Sequence, residues 1–300
     1  MCYSALLEAT YKEYCQQFGL IFDRDGFHDL FSMRVEAPHL KIPDGLTQQL
    51  ANEDSAFGRS IGKLHAKFVE GEHQRIEAEI AAIGQAIEQL EAKKPGKTRD
   101  KDLGAKRRKQ EKLLASLAQS AAPGTSYRVY PNYFAGVIAD IGGQRLLTPM
   151  RYRILPRTGV EVPMQYNVFN ARRDSLQSAR TWKPLFGTQH AIFPFTRFYE
   201  WVSRDGKPIE ISFSPDGYSG MWAAALYEEY RSELGMIRSF AMVTDEPPAE
   251  VAAAGHDRCP VFLESRLLEN WLLPAGQSLE ALDRLLDHKE QPYYSYALAA

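Results

Sequence analysis

Cysteine is scarce in this 300-residue chain: Cys2, Cys15 and Cys259 are all it has. Their spacing fits neither a zinc site nor a paired disulfide framework, so free thiols in a reducing compartment are expected. Long apolar runs are also missing. None approaches the roughly 18 residues of a membrane-spanning helix, and the start lacks the basic and apolar regions of a secretory signal. A cytoplasmic location with no membrane partner is therefore expected. No glycine-rich phosphate loop, HExxH or GxSxG motif occurs, so no cofactor and no metal are expected. With 44% hydrophobic and 25% charged residues, the composition is that of a globular chain able to bury a core.

The net charge of −2 is unevenly spread: residues 93–112 hold ten basic residues against three acids. Such a patch is either a nucleic-acid contact or a solvated helix face. It lies in a segment of helical character. Ile76, Ile80, Ile83, Ile87 and Leu90 alternate spacings of four and three, the seam of a coiled coil. "KKPGK" (93–97) breaks the helix, and a second one carrying Leu113, Leu114 and Leu117 runs back until "AAPGTS" (121–126). Residues 68–122 are thus expected to be an antiparallel helical hairpin with a basic tip, inserted into a single domain spanning 2–300.

A short helix is expected over 10–19, with Thr10 as cap and Gly19 as stop. The proline-dotted stretch to about residue 60 gives no clear pattern. After residue 126 strands are expected over 127–139, 144–156, 191–202, 208–214, 218–227 and 237–244, rich in β-branched and aromatic residues. Helices are expected over 247–255 and 278–289. Strands follow strands without regular helical crossovers, which predicts an α+β protein with a mostly antiparallel sheet.

Four places hold polar residues suited to chemistry. A small second residue favours removal of Met1, leaving Cys2 with a free α-amine beside its thiol; the plain alternative is a chance cysteine at a frayed terminus. In "NARRDS" (170–175), Asn170 and Arg172 share a side if the segment is extended. In "RFYEWV" (197–202), Glu200 sits between Tyr199 and Trp201. It is either buried, with a raised pKa fit for proton shuttling, or a solvent-facing glutamate on the alternate face of a strand. In "GHDRCPVF" (255–262), His256 is either catalytic or a satisfied polar residue, and Asp257 is placed to pair with Arg258.

"MC" at the start, "PMRYRILP" (149–156), "NARRDSL" (170–176), "KPLF" (183–186), "FYEW" (198–201), "GMW" (220–222), "FAMVTDEP" (240–247) and "GHDRCPVFLE" (255–264) together resemble the SOS response-associated peptidase (SRAP) family of abasic-site-processing proteins. The resemblance covers residues 1–20 and about 127–275. It implies a barrel-like fold with flanking helices and an activity on abasic sites in single-stranded DNA. The implied product is a covalent thiazolidine crosslink through Cys2. Carried over residue by residue, it makes Cys2, Asn170, Glu200 and His256 catalytic, and gives DNA contacts to Arg172, Arg258 and Asn170; Tyr3 is expected to contact DNA as an aromatic able to stack on a base. Tyr199 and Trp201 are expected in the core. The chain departs from the family's Met-Cys-Gly-Arg start at Tyr3 and Ser4, where an arginine that would meet phosphate is missing. Tyr152 stands where tryptophan is usual, and Cys259 where methionine is. Two other readings start from the same residues: an N-terminal-nucleophile peptidase or amidohydrolase that can remove its own Met1, and a non-covalent single-strand-binding protein using the basic tip.

Overall fold

The computed structural model describes residues 3–6, 11–119 and 124–299. Strand β1 (Ser4–Leu6) leads to α1 (Tyr11–Phe18), β2 (Ile21–Phe22), α2 (Arg24–Glu36), α3 (Asp44–Ala51), α4 (Ala56–Glu91) and α5 (Lys97–Gln119). The strand-rich part follows with β3 (Arg128–Val129), β4 (Phe134–Ile141), β5 (Gln144–Tyr152), β6 (Asn170–Arg172), β7 (His190–Phe195), β8 (Arg197–Arg204), β9 (Lys207–Pro215), β10 (Met221–Arg231) and β11 (Met236–Asp245). Then come α6 (Ala249–Ala253), β12 (Cys259–Pro260), α7 (Leu268–Leu272), α8 (Leu279–Leu285) and β13 (Tyr294–Leu298).

The α+β class is as expected. One sheet runs in the order β12-β11-β10-β7-β4-β5-β2, and a further β11–β5 pairing closes β11, β10, β7, β4 and β5 into a barrel. That closure is parallel, as are the β6–β11 and β2–β5 pairs, so the sheet is mixed. Phe193, Phe240 and Tyr152 fill the barrel: Tyr152 stacks on Phe240 at 5.1 Å and Phe193 lies 4.8 Å from Phe240. Aromatic pairs of this kind add to the burial of their area. An outer sheet, β13-β9-β8-β1-β3, is antiparallel throughout.

Two expected strands are each a pair. The stretch 191–202 breaks at Thr196, whose N–H and hydroxyl both donate to the Leu6 carbonyl, at 2.8 and 3.0 Å. The chain there leaves the barrel (β7) and enters the outer sheet (β8). The stretch 127–139 breaks at Asn132, whose φ of 74° ends β3 and turns the chain into β4. Residues 20–55, unreadable by pattern, form α2 and α3. Asp23 caps α2 by accepting from the Gly26 N–H (2.9 Å), and Ser55 caps α4 by accepting from the Gly58 N–H (3.0 Å). Thr10, the cap expected for the first helix, lies outside the described residues, whereas Gly19 ends α1 with φ 59°.

Helix α4 starts at Ala56, earlier than its apolar seam announces, and its 36 residues run about 54 Å at the rise of an α-helix. Its residues 70–91 carry six acids and one arginine, and α5 carries eight bases and three acids. Lys109 pairs with Glu79 and Arg107 with Glu91, each at 2.6 Å, and Ile83 and Ile87 are buried between the helices. The basic residues read from the sequence therefore lie against an acidic arm. Among the described residues no helix is long and apolar enough to cross a membrane.

Candidate active site

The register of β1 on β8 sets the site. Ser4 faces Tyr199, Ala5 faces Phe198 and Leu6 faces Arg197, and the Tyr3 N–H donates to the Tyr199 carbonyl at 3.0 Å. Tyr3 is thereby held one residue from Glu200 along β8. Cys2 itself lies outside the described residues.

Glu200 is 2% exposed, which removes the solvent-facing alternative. Burial pushes its carboxyl above the usual range, while the hydrogen bond with His256 pulls the other way. His256 Nε2 lies 3.2 Å from Glu200 Oε2. At Nδ1, the Arg258 carbonyl stands at 2.9 Å and the Arg258 N–H at 3.4 Å. The carbonyl is nearer and needs a donor, so Nδ1 carries the proton and Nε2 faces the carboxyl. One proton can then move between Oε2 and Nε2, the arrangement general acid–base work requires. Gly255, at φ 100°, makes the left-handed turn that swings His256 toward β8.

Asn170 and Arg172 lie on β6, and Arg258 lies just before β12. Both short strands flank the C-terminal half of β11: Asn170 is level with Met242, Arg172 with Thr244, and Pro260 with Thr244 from the other edge. Asn170 is buried, and its Oδ1 accepts from the Tyr152 hydroxyl at 3.3 Å. Arg172 reaches solvent and binds Asp174 at 2.7 Å, and Arg258 binds the same carboxylate at 3.2 Å. The partner expected for Arg258 was Asp257; Asp174 takes that place because the 3₁₀ turn after β6 carries it between the two guanidinium groups. No pattern in the sequence marks Asp174, since the contact spans 84 residues.

Tyr3 is half-exposed and meets Trp201 and Tyr130 edge-on at 6.3 and 6.0 Å. Tyr199 is buried as expected, but Trp201 is 49% exposed, a correction that follows from strand alternation: Glu200 faces in, so Trp201 faces out. Sequence reasoning also missed Arg128. From β3 its Nε donates to Ser4 Oγ at 2.8 Å, its guanidinium lies 3.7 Å over the Tyr199 ring, and it pairs with Glu210. A cation thus stands beside Ser4, delivered from another strand, although Glu210 neutralises it. Cys259 is buried, and burial pushes its thiol up to about 12; Cys15 is raised by the same cause. Neither is an activated nucleophile.

A family model described as SOS response associated peptidase (SRAP) matches residues 97–299, about two thirds of the chain. The chain belongs to the SRAP family. Among curated SRAP relatives, the abasic site processing protein YobE of Bacillus subtilis is 28% identical over 165 residues, 54% of this chain and 74% of that protein. The abasic site processing protein YoqW of Bacillus phage SPbeta is 28% identical over 172 residues, 56% of this chain and 74% of that one. The crystal structure of a phage-related protein from Bordetella bronchiseptica aligns with a TM-score of 0.47 and 22% identity, over 59% of this chain and 83% of the other.

Proposed function

We propose that this SRAP member captures abasic sites in single-stranded DNA as a covalent thiazolidine crosslink to Cys2. The observation that carries the reading is the buried Glu200–His256 pair, 3.2 Å apart and one residue from where the first described backbone bond anchors the chain's start. Its relatives named as abasic site processing proteins support it.

With Met1 removed, the Cys2 α-amine, whose ordinary pKa is about 8, is partly neutral near pH 7. It attacks the aldehyde carbon of the ring-opened sugar, and the resulting carbinolamine loses water to give a Schiff base. The thiol sulfur then adds to the imine carbon and its proton ends on the ring nitrogen. One water leaves, and the five-membered ring shuts off the imine that would lead to β-elimination. Glu200 moves the proton that opens the sugar ring, and His256 accepts or returns it. Asn170, held by Tyr152, orients the terminus. Arg172 and Arg258 contact phosphates, for which their grip on Asp174 is exchanged. Trp201 and Tyr3, both exposed, supply stacking faces for bases. Phosphate and stacking contacts carry little sequence information, and an aldehyde in a stacked duplex is poorly presented, so single strands are preferred. The basic hairpin arm is a secondary contact for nucleic acid or protein, weakened by its acidic partner helix.

The test is intact-mass spectrometry after incubation with an oligonucleotide bearing one abasic site, with peptide and glutamine turnover and salt-dependent binding measured alongside. The expected result is an adduct of protein plus oligonucleotide less one water, absent in Cys2→Ala. Turnover of an amide without adduct would instead favour the N-terminal-nucleophile reading, and salt-sensitive binding alone the non-covalent one.

A further inference from the structure

On the barrel wall, strand β5 ends in Arg151 and Tyr152 and is followed by Arg153, and only Tyr152 turns toward Asn170. The two arginines instead line a cavity of about 790 Å³, bounded by the end of α2, the β10–β11 hairpin and residues 159–164. Both are buried, at 7% and 1% exposure. Arg151 grips Glu161 through two bonds, of 2.5 and 2.8 Å, and donates to the side-chain Oδ1 of Asn132 at 2.7 Å. Arg153 reaches Glu161 at 3.3 Å and the Val162 and Pro163 carbonyls at 2.6 and 3.0 Å. Its Nε, also buried, has no hydrogen-bond partner among the described residues.

The backbone here is costly as well. Among the described residues three non-glycine positions have positive φ, and two of them, Asn132 (74°) and Arg153 (134°), line this cavity. Strain of this kind persists where the surroundings fix it, and it clusters at ligand sites. Two buried cations share one carboxylate, and Glu161 remains 57% exposed on its loop. Lys41 adds positive charge at the rim, and Glu233 opposes it. The remaining wall is apolar, with Leu155, Tyr230 and Ile237 among its members. A volume of this size with an apolar wall and a few converging polar groups is typical of a small-molecule site.

We propose that this cavity binds a small organic anion whose carboxylate or phosphate head displaces Glu161 from Arg151 and Arg153 while its apolar body rests on Leu155, Tyr230 and Ile237. Glu161 is then an internal stand-in for the ligand head. The site is independent of Cys2 chemistry, and its test does not involve DNA.

Calorimetric titration of the full chain with thymidine 5′-monophosphate, octanoate and inorganic phosphate separates the head from the body. In Glu161→Gln the internal competitor is gone, and one of the two bodied anions should bind at one site about tenfold more tightly than in the unaltered protein. Arg153→Gly relieves the positive φ, so this variant should melt no lower than the unaltered protein while losing the binding. Tighter binding of the nucleotide assigns a phosphate head, and of octanoate a carboxylate. No saturable binding to Glu161→Gln by either, or equal binding by Arg153→Gly, would overturn the proposal. So would a marked fall in the melting temperature of Arg153→Gly, which would make Arg153 a loop clamp.

Discussion

At 3.2 Å, the Glu200 carboxyl and the His256 imidazole are within reach of a shared proton without any movement of the backbone. Replacing Glu200 by Gln keeps the shape and a hydrogen-bond partner for Nε2 but removes the proton. The expected outcome is crosslinking slowed by about 10²–10⁴-fold, the usual range for a positioned acid or base, with affinity for an intact single strand unchanged. Single-turnover gel kinetics read the first and fluorescence anisotropy the second; an unaltered rate removes Glu200 from its assigned role. At this scale the sequence said much. Glu200, His256 and the Asn170–Arg172 pair stand out as polar residues in apolar surroundings, and burial of Glu200 was one of two stated alternatives. Asp174 and Arg128 did not stand out, because what distinguishes them is a partner 84 or 124 residues away.

Elements differ in how far local signals define them. The α4 seam follows from periodicity and the β9–β11 strands from their β-branched and aromatic content, and Phe27, Leu30, Phe31 and Arg34 show that α2 carries a helical stripe after its Asp23 cap. The break at Thr196 has no local cause: it exists because Leu6 lends its carbonyl, so only the folded β1 reveals it. Strands β6 and β12 are three and two residues long and owe their existence to the edges of β11. Strand β1 depends in turn on Arg128, which ties Ser4, Tyr199 and Glu210 together. Arg128→Ala should lower stability by about 2–3 kcal/mol, since Glu210 is left largely buried without its cation, and should slow crosslinking through a loosened terminus. Urea melts check the first effect. Arg128→Lys, which restores the charge but not the planar contact over Tyr199, should recover stability only in part. The hairpin is another matter. Residues 72–116 replaced by a short glycine-serine linker should leave the barrel's melting transition and the crosslinking rate intact, because its buried seam is internal to α4 and α5. Loss of the folded transition would make the hairpin part of the core.

For the whole molecule, two buried groups push stability in opposite directions with pH. His190 accepts from the Gly187 N–H and bonds the Trp271 carbonyl, each at 2.9 Å, and burial holds its pKa down at about 4. Between that value and the ordinary 6.5, the unfolded chain binds a proton that the native one refuses. Stability therefore rises with pH through this window, by up to about 3 kcal/mol. Glu200 is raised, so the native chain keeps a proton that the unfolded chain releases above about pH 4.3, and stability falls as pH climbs toward its folded value. Glu200→Gln removes the falling part. Its urea midpoint should rise more steeply from pH 4 to 6.5 than that of the unaltered protein, the gap widening with pH; parallel curves would show that Glu200 is not raised.

The corner at Thr196 has one more consequence. Glu200 belongs to the outer sheet, whereas Asn170, Arg172 and His256 hang from the closed barrel, so the candidate site spans a joint between two separately hydrogen-bonded bodies. A damaged strand bonded to the chain's first residue and gripped by barrel arginines would bolt that joint shut, making the captured lesion itself a structural member of the protein.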